Sequence, residues 1–491
     1  MKRSYLIIAG MLLGVSLIFT ACGDDFEQLN VSAPSGVVTL ANGAEGESVD
    51  FTVAVDPSLT ATYTATGTGV TVTNGSGDVD GTTVTINFDA GTAAGAASIV
   101  LTVTDSEGQS DDATAIFTIE QKGNVVIVTN NVTEDATWTS DKVYVLGGRI
   151  AVEDGATLTI QPGTIIKGQA GTGANATALL VARGGKLMAE GTPAAPIIFT
   201  SVADEIEPAD IADGDFSSPN LSPDTDGLWG GVIILGKAKI SASNDAGGDV
   251  DEVQIEGIPT SDPNGLYGGS DDADNSGVIK YISIRHGGAD IGAGNEINGL
   301  SLGAIGTGTV IENIEVISNQ DDGIEWFGGT VDVKNVVVWN VNDDGLDTDQ
   351  SWSGTVDNFV IITPGGHCFE LDGPEGSYNA AHTIKNGWVI ASGGDRVSAD
   401  LINTDDNSRV DLENIFITGI LEGQIINRVA HDVGVVNFTN IVLDVLADDL
   451  ADYVKDGNIP AGVTAGDEPA VSGDMDLTVF GWTWAKQAGS F

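Results

Sequence analysis

Four residues, Asp322, Asp344, His367 and Asp395, each stand nine positions after an asparagine, at Asn313, Asn335, Asn358 and Asn386. Carboxylates and an imidazole at one offset can share protons or hold a cation, provided the chain stacks its repeats in register. The asparagines continue at Asn414 and Asn440, with spacings of 22, 23, 28, 28 and 26 residues, and each precedes an apolar run such as IEVI, VVVW or FVII. The offset is constant while the full spacing varies, so insertions fall elsewhere in the repeat. Stacked by the asparagines, Asn298, Asp322, Asp344, His367 and Asp395 form one column, and Ser301, Glu325, Asp347, Glu370 and Ser398 a second beside it. Stacked strands lie roughly 4.8 Å apart. Ionised carboxylates at that distance repel, raise one another's pKa, or require a cation.

The elements that must position these columns follow from the period. Repeats in the twenties, with β-branched runs and Gly-rich corners, suit a solenoid whose rungs bury their inner faces only against neighbours. One strand is expected after each asparagine, a second from Gly323-Ile324, Gly345-Leu346 and Cys368-Phe369, and a third from Thr330-Val331 and Thr355-Val356. Earlier coils are expected at Val143–Leu146, Ala156–Ile160, Ala178–Val181 and Ile197–Thr200, and the polar stretch Ala203–Asp226 as a long loop. Residues 446–491, with helical spacing over Asp444–Val454 and the aromatic run Phe480–Ala485, are expected to cap the open end. Before the solenoid, period-two runs at Ser48–Val55, Thr83–Phe88, Ser98–Thr104 and Ala113–Ile119 indicate an antiparallel β-sandwich over 31–121. Its final pair, with the Asp105–Gly108 turn, resembles the last hairpin of immunoglobulin-like or cadherin-like modules. The expected class is all-β: a right-handed parallel β-helix over 122–445, preceded by this sandwich.

The first residues, Met1-Lys2-Arg3 and then an apolar run to Phe19, have the form of a signal peptide and are too short to span a membrane. Phe19-Thr20-Ala21-Cys22 resembles a lipobox, with Phe19 where Leu is usual. The resemblance implies lipid on Cys22, a tether over 23–30, and, from Gly23-Asp24-Asp25, export of a Bacteroidota lipoprotein to the outer face of the outer membrane. The other cysteine is Cys368, so no disulfide is available within the mature chain. Seventy-one acidic against 19 basic residues give a formal charge of −52, which excludes nucleic acid as a partner. The membrane is contacted through the lipid, and the expected partners are a polysaccharide or an outer-membrane protein complex.

Several segments resemble a family of Bacteroidota β-helix lipoproteins: Ala156–Thr164, Ala189–Thr192, Gly227–Gly231, Asn298–Leu300, Asp321–Thr330 and Asp347–Gln350. The asparagines resemble the ladder inside one bend of pectate-lyase-like β-helices, which implies a structural role for Asn313, Asn335, Asn358, Asn386, Asn414 and Asn440. In order and near spacing, Asn319–Asp322, Asp343-Asp344, Gly365–His367 and Arg396–Ser398 resemble the motif series of polygalacturonase-type glycoside hydrolases. That resemblance implies an inverting mechanism, with Asp344 as the acid, Asp322 and Asp343 as bases, His367 as a proton partner and Arg396 as ligand to a sugar carboxylate. Cys368 stands where that family has Gly, and Ser398 where it has the substrate-binding Lys. A pectate-type lyase fits less well, because few basic residues lie near the columns.

Two other readings remain open beside the hydrolase. The acids can hold Ca²⁺, which takes six to eight oxygens, with Glu325, Asp347, Glu370 and Asp372 as ligands and Asp271–Gly277 as a second oxygen-rich loop. Alternatively the β-helix displays a binding face, on which Trp326, Trp339, Trp352 and Trp388 could stack on sugars or equally lie in the core. His286, after Arg285, is expected at a surface or corner.

Overall fold

A computed structural model describes residues 29–92, 94–120, 123–244, 246–290, 296–427, 435–466 and 475–491. The lipobox cysteine, Cys22, lies outside the described residues. The chain divides into two units at Gly123/Asn124.

In the first unit the alternation of Glu47–Ala54 and Thr83–Ala90 buries Val49, Phe51 and Val53 with Val84, Ile86 and Phe88. These strands belong to a four-stranded sheet, and Gly95–Asp105 and Ser110–Ile119 to a five-stranded one. Phe88 of the first sheet meets Phe117 of the second with ring centroids 5.0 Å apart, so the two sheets share one core. Asp105 Oδ1 ties the turn by accepting the N–H groups of Glu107 and Gln109, each at 2.9 Å. The outer strand Val37–Leu40 pairs in parallel with Ile116–Ile119.

The second unit is a right-handed parallel β-helix built on sheets of fifteen and eight strands. In the early coils Thr157–Ile160 and Ile165–Gly168 are separate strands, parted by Pro162 and by Gly163 at φ 79°. From Gly277–Arg285 onward a single strand spans both positions, pairing with Lys186–Glu190 and with Ile197–Ser201. The expected third strand of one coil and first of the next are thus one strand. Each bends at one left-handed residue, Tyr281, Asn313, Asn335, Asn358, Asn386, Asn414 or Asn440, with φ between 50° and 68°. Asparagine adopts this conformation more readily than other non-glycine residues.

The bend amides bond from coil to coil in two runs. Asn335 Nδ2 donates to Asn313 Oδ1 (3.0 Å) and Asn358 to Asn335 (2.8 Å); Asn414 donates to Asn386 (3.2 Å) and Asn440 to Asn414 (3.0 Å). Between the runs Asn386 turns to Asp357 Oδ1 (2.7 Å), and Asn358 Oδ1 accepts the N–H of Asp476 (2.9 Å).

The residue before each bend forms a second column. Glu190, Lys280, Glu312, Lys334, Asp357, Lys385 and Glu413 are successive register partners, so charge alternates over seven coils. Lys280 Nζ lies 3.2 Å from Glu312 and Lys385 Nζ 3.9 Å from Asp357. Like charges directly opposite in a sheet cost roughly 0.2–1 kcal/mol per pair. Lys334→Glu, which places three acids in succession, should therefore lose about 1 kcal/mol in urea denaturation, and less in high salt. Equal loss in Lys334→Met would deny the column an electrostatic role.

Leu450 and Val454, from the 3₁₀ turn at Leu450–Tyr453 and its end, close the core of the last coils. The helical spacing of Asp444–Val454 yields no more than this turn. Residues 475–491 do not cap the end, as expected for all of 446–491; they lie along the outer face of the long sheet. There Phe480, Trp484 and Ala485 cover Ile317, Val337 and Val360, and Trp482 packs with Val143, Ile165 and Ile198. The solenoid flank there is apolar, and the aromatics bury their surface against it. The loop after Ser201 holds a short helix, Pro208–Asp213, with Glu207 and Asp210 in a capping box. No described helix is long and apolar enough to cross a membrane.

Candidate functional site

Strands Leu300–Gly303, Ile324–Phe327, Leu346–Asp349, His367–Leu371 and Asp400–Thr404 are neighbours in the eight-stranded sheet. Leu300, Ile324, Leu346, Phe369 and Ile402 are register partners and face the core. Alternation turns the next residue of each strand outward: Ser301, Glu325, Asp347, Glu370 and Asn403. Asn403 stands where Ser398 was expected, and Asp400, not Asp395, pairs with His367. The strand position comes fourteen residues after Asn386, so the nine-residue offset ends in a longer turn. There Asp395 accepts from Asn340 Nδ2 (3.0 Å), and Ser398 Oγ from Gln424 Nε2 (2.8 Å).

Each acid of the first column spends one oxygen on the next coil. Asp322 N–H donates to Asn298 Oδ1 (3.3 Å), Asp344 N–H to Asp322 Oδ1 (2.8 Å), and His367 N–H to Asp344 Oδ1. Gly366 makes room for this, because a Cβ there would strike the carboxylates of Asp343 and Asp344. The structure gathers the side chains into three trios, each with ligand atoms within 4.8 Å of one another: Asp344, His367 and Glu370; Asp321, Asp322 and Asp343; Asp322, Glu325 and Asp347. Asp322 belongs to two of them. Asn298 Nδ2 donates to Glu325 Oε2.

Electrostatics divide the groups. Burial, and then their mutual charges, push Asp322, Glu325 and Asp347 well above the usual carboxylate range. Burial and the charge of Asp343 raise Asp321 to about 7. Burial and its bond to Asp344 raise Glu370 to about 8. Burial would raise Asp344 too, but hydrogen bonds from His367 and Glu370, with the His367 charge, hold it below its ordinary value. His367 Nδ1 is 3.0 Å from Asp344 and 3.9 Å from Glu370. Burial works against its charge, yet the bond to Asp344 raises it.

Not all the expected residues converge. Arg396 pairs with Asp226 and donates to Asp224 O (3.3 Å), fastening the long loop instead of serving the acids. Asp372 joins none of the trios, and Glu370 sits with Asp344 and His367, not with Glu325 and Asp347. Asp322 takes the place of both beside Glu325 and Asp347. Asp321 shares the offset of Asp343, one residue before the column, so the paired Asp-Asp sequences already carried its signal. Glu256 and Glu296, whose charges act on Asp321, come from loops with no repeat register. In Asp271–Gly277, Asp272 is taken by Lys239 at 2.8 Å. Trp326 and Trp352 stack at 4.8 Å in the core, Trp339 lies beneath Trp484, and Trp388 donates to Thr418 Oγ1 (3.0 Å). His286 is a corner residue at φ 60° but fully buried.

The trios consist mostly of hard oxygen donors. Ca²⁺ ligands lie at roughly 2.3–2.6 Å from the ion, so oxygens up to about 5 Å apart can share one. The Asp322, Glu325 and Asp347 oxygens fit that limit. Inverting glycosidases hold their carboxyls about 6.5–9.5 Å apart to admit water, wider than any of these trios.

Among known proteins, the model of the pectate-lyase-like β-helix domain matches residues 130–214 and 216–470. No curated protein matches. Similar solved structures include the family 28 exopolygalacturonase of Yersinia enterocolitica, at 12% identity over 90% of this chain and 96% of that one, with a TM-score of 0.25. Another is the catalytic unit of the thermostable GH87 α-1,3-glucanase of Streptomyces thermodiastaticus, at 11% identity over 86% of this chain and 90% of that one, also with a TM-score of 0.25. Likeness at that level assigns no activity to this chain. The family match spans more than half of the sequence, and its coils carry the acids and the bend residues described above: the chain belongs to the pectate-lyase-like β-helix domain family.

Proposed function

We propose that this protein is a lipoprotein anchored through Cys22 on the outer face of the outer membrane, whose acidic β-helix face binds Ca²⁺ and through it holds a polysaccharide or an outer-membrane partner. The observation that carries this reading is the trio of Asp322, Glu325 and Asp347, buried or half-buried oxygens within 4.8 Å and without an ion pair among the described residues. Three such carboxyls either stay protonated or share a cation. Cys22→Ala should move the protein from the membrane fraction to the soluble fraction. On immobilised acidic and neutral polysaccharides, retention should require calcium and fall on chelation or in Asp347→Asn. Retention indifferent to chelator, or none at all, defeats the binding reading.

A second reading, a glycoside hydrolase, is favoured by one contrast: Asp344 is held ionised beside Glu370, which burial and Asp344 push to about 8. With ligand atoms within 4.8 Å, the two are closer than the inverting mechanism of the motif resemblance requires. Environments that separate two carboxyls in this way assign base and acid. On this geometry the protonated acid is Glu370, and Asp344 the base, the reverse of the role that the motif resemblance implies for Asp344. Release of reducing ends that is abolished in Glu370→Gln would establish this reading; polysaccharide retained without product rejects it.

A further inference from the structure

The chain segment Asp476–Ala485 bridges the long sheet and is held at both ends. Near one end Asp476 exchanges two hydrogen bonds with the Asn358 side-chain amide, at 2.9 and 3.0 Å. At the other, Ala485 N–H donates to Glu315 Oε1 at 3.0 Å. Between these anchors the segment roofs a cleft of about 620 Å³, lined by Tyr281, Glu312, Asn313, Lys334, Thr478 and Trp482 among others. It lies on the long sheet, whereas the acidic trios lie on the eight-stranded one.

The floor of the cleft is the open end of the amide ladder. Each bend asparagine in a run donates its Nδ2 to the Oδ1 of the coil before it, but the coil before Asn313 has Tyr281 at the bend. Asn313 is 5% exposed, and among the described residues its Nδ2 has no acceptor. The residue lines the cleft, so this amide donor is open to whatever occupies the cleft. Lys334 makes no ion pair among the described residues, because its column neighbours Glu312 and Asp357 are engaged by Lys280 and Lys385. Tyr281 is half-buried and supports one aromatic wall, its ring meeting the edge of Trp482 at 5.6 Å and 75°. Trp482 in turn keeps a buried Nε1 with no partner among the described residues.

We propose that this cleft is a carbohydrate subsite that takes one pyranose ring of a glycan. The ring face lies on Tyr281. Hydroxyl oxygens accept from Asn313 Nδ2 and Lys334 Nζ, and a hydroxyl donates to the Glu312 carboxylate. An apolar face combined with polar edges is the chemistry of a pyranose, and an aromatic wall beside amide and ammonium donors complements it. The site needs no cation and is independent of the acidic face.

The test exploits the ladder. Tyr281→Asn supplies the missing acceptor for Asn313 and suits the left-handed backbone better than tyrosine, so the melting temperature should hold or rise while binding is lost. The purified full chain is titrated with the methyl glycosides of β-glucose, β-galactose and α-mannose, followed by tryptophan fluorescence and by saturation transfer to the sugar protons. At least one should bind, with affinity reduced roughly tenfold or more in Tyr281→Asn. Lys334→Met, a change on an exposed side chain, provides the same reading if Tyr281→Asn folds poorly. The proposal is overturned if none of the glycosides binds or if both variants bind as the parent does. Binding that survives these changes and disappears in Asp347→Asn belongs to the acidic face and overturns it equally.

Discussion

Chelation of divalent cations should lower the melting temperature of the β-helix, and more at about pH 8 than at about pH 5, where the acids retain their protons. Asp321, raised to about 7, and Asp349 and Glu370, raised to about 8, bind protons more tightly folded than unfolded. Between roughly pH 4 and pH 8 the native state therefore holds the extra protons, and stability falls as pH rises through that window. A cation replaces those protons as the source of positive charge. At a hundredfold excess over Kd it contributes about 2.7 kcal/mol, on the order of 5 °C for a unit of this size. His382, buried against Trp352 and pushed down to about 3, acts in the opposite sense. Below about pH 6.5 the unfolded chain takes up a proton that the native state refuses, so acid destabilises. The chelated protein should thus be most stable at mildly acidic pH, with calcium flattening the alkaline side. Asp347→Asn should flatten it without calcium. Melting curves over pH, with calcium and with chelator, decide this; identical pairs would leave the trios without a cation.

Glu315→Ala should be the most destabilising single change in the β-helix, costing roughly 3–5 kcal/mol. Glu315 and Arg285 are fully buried, 3.8 Å apart, beneath the C-terminal segment. Ser283 Oγ donates to Glu315 Oε2 (2.6 Å) and accepts from Arg285 Nε (2.7 Å), and the guanidinium lies 5.0 Å from the Trp484 ring. Removing the carboxylate leaves a buried cation unpaired and withdraws the acceptor for Ala485 N–H. Replacing both ions, Arg285→Leu with Glu315→Leu, should restore much of the loss, because desolvation opposes each ion on its own. Burial lowers Arg285 and raises Glu315, as that cost requires. Urea denaturation of the single and double variants measures the coupling. If Glu315→Ala and the double variant lose the same amount, the pair has no special weight.

The β-helix was legible in the amino-acid order alone. Its period, its β-branched runs and its bend asparagines are local: each asparagine tolerates a left-handed φ in its own residue, and each apolar run needs only a neighbouring coil to be buried. The two acids and the histidine at a constant offset in the first three coils, Asp322, Asp344 and His367, were legible for the same reason. Tertiary structure decided what the repeat could not encode. The long turn after Asn386 moved the column from Asp395 to Asp400. Arg396 went to Asp226 on a loop 170 residues earlier, and residues 475–491 turned away from the end of the solenoid to its apolar flank. Glu256 and Glu296 reached the acids from insertions outside the register. Strand spacing sets which side chains can be neighbours, but only the closed shape sets which opposite charge or apolar surface each one meets first.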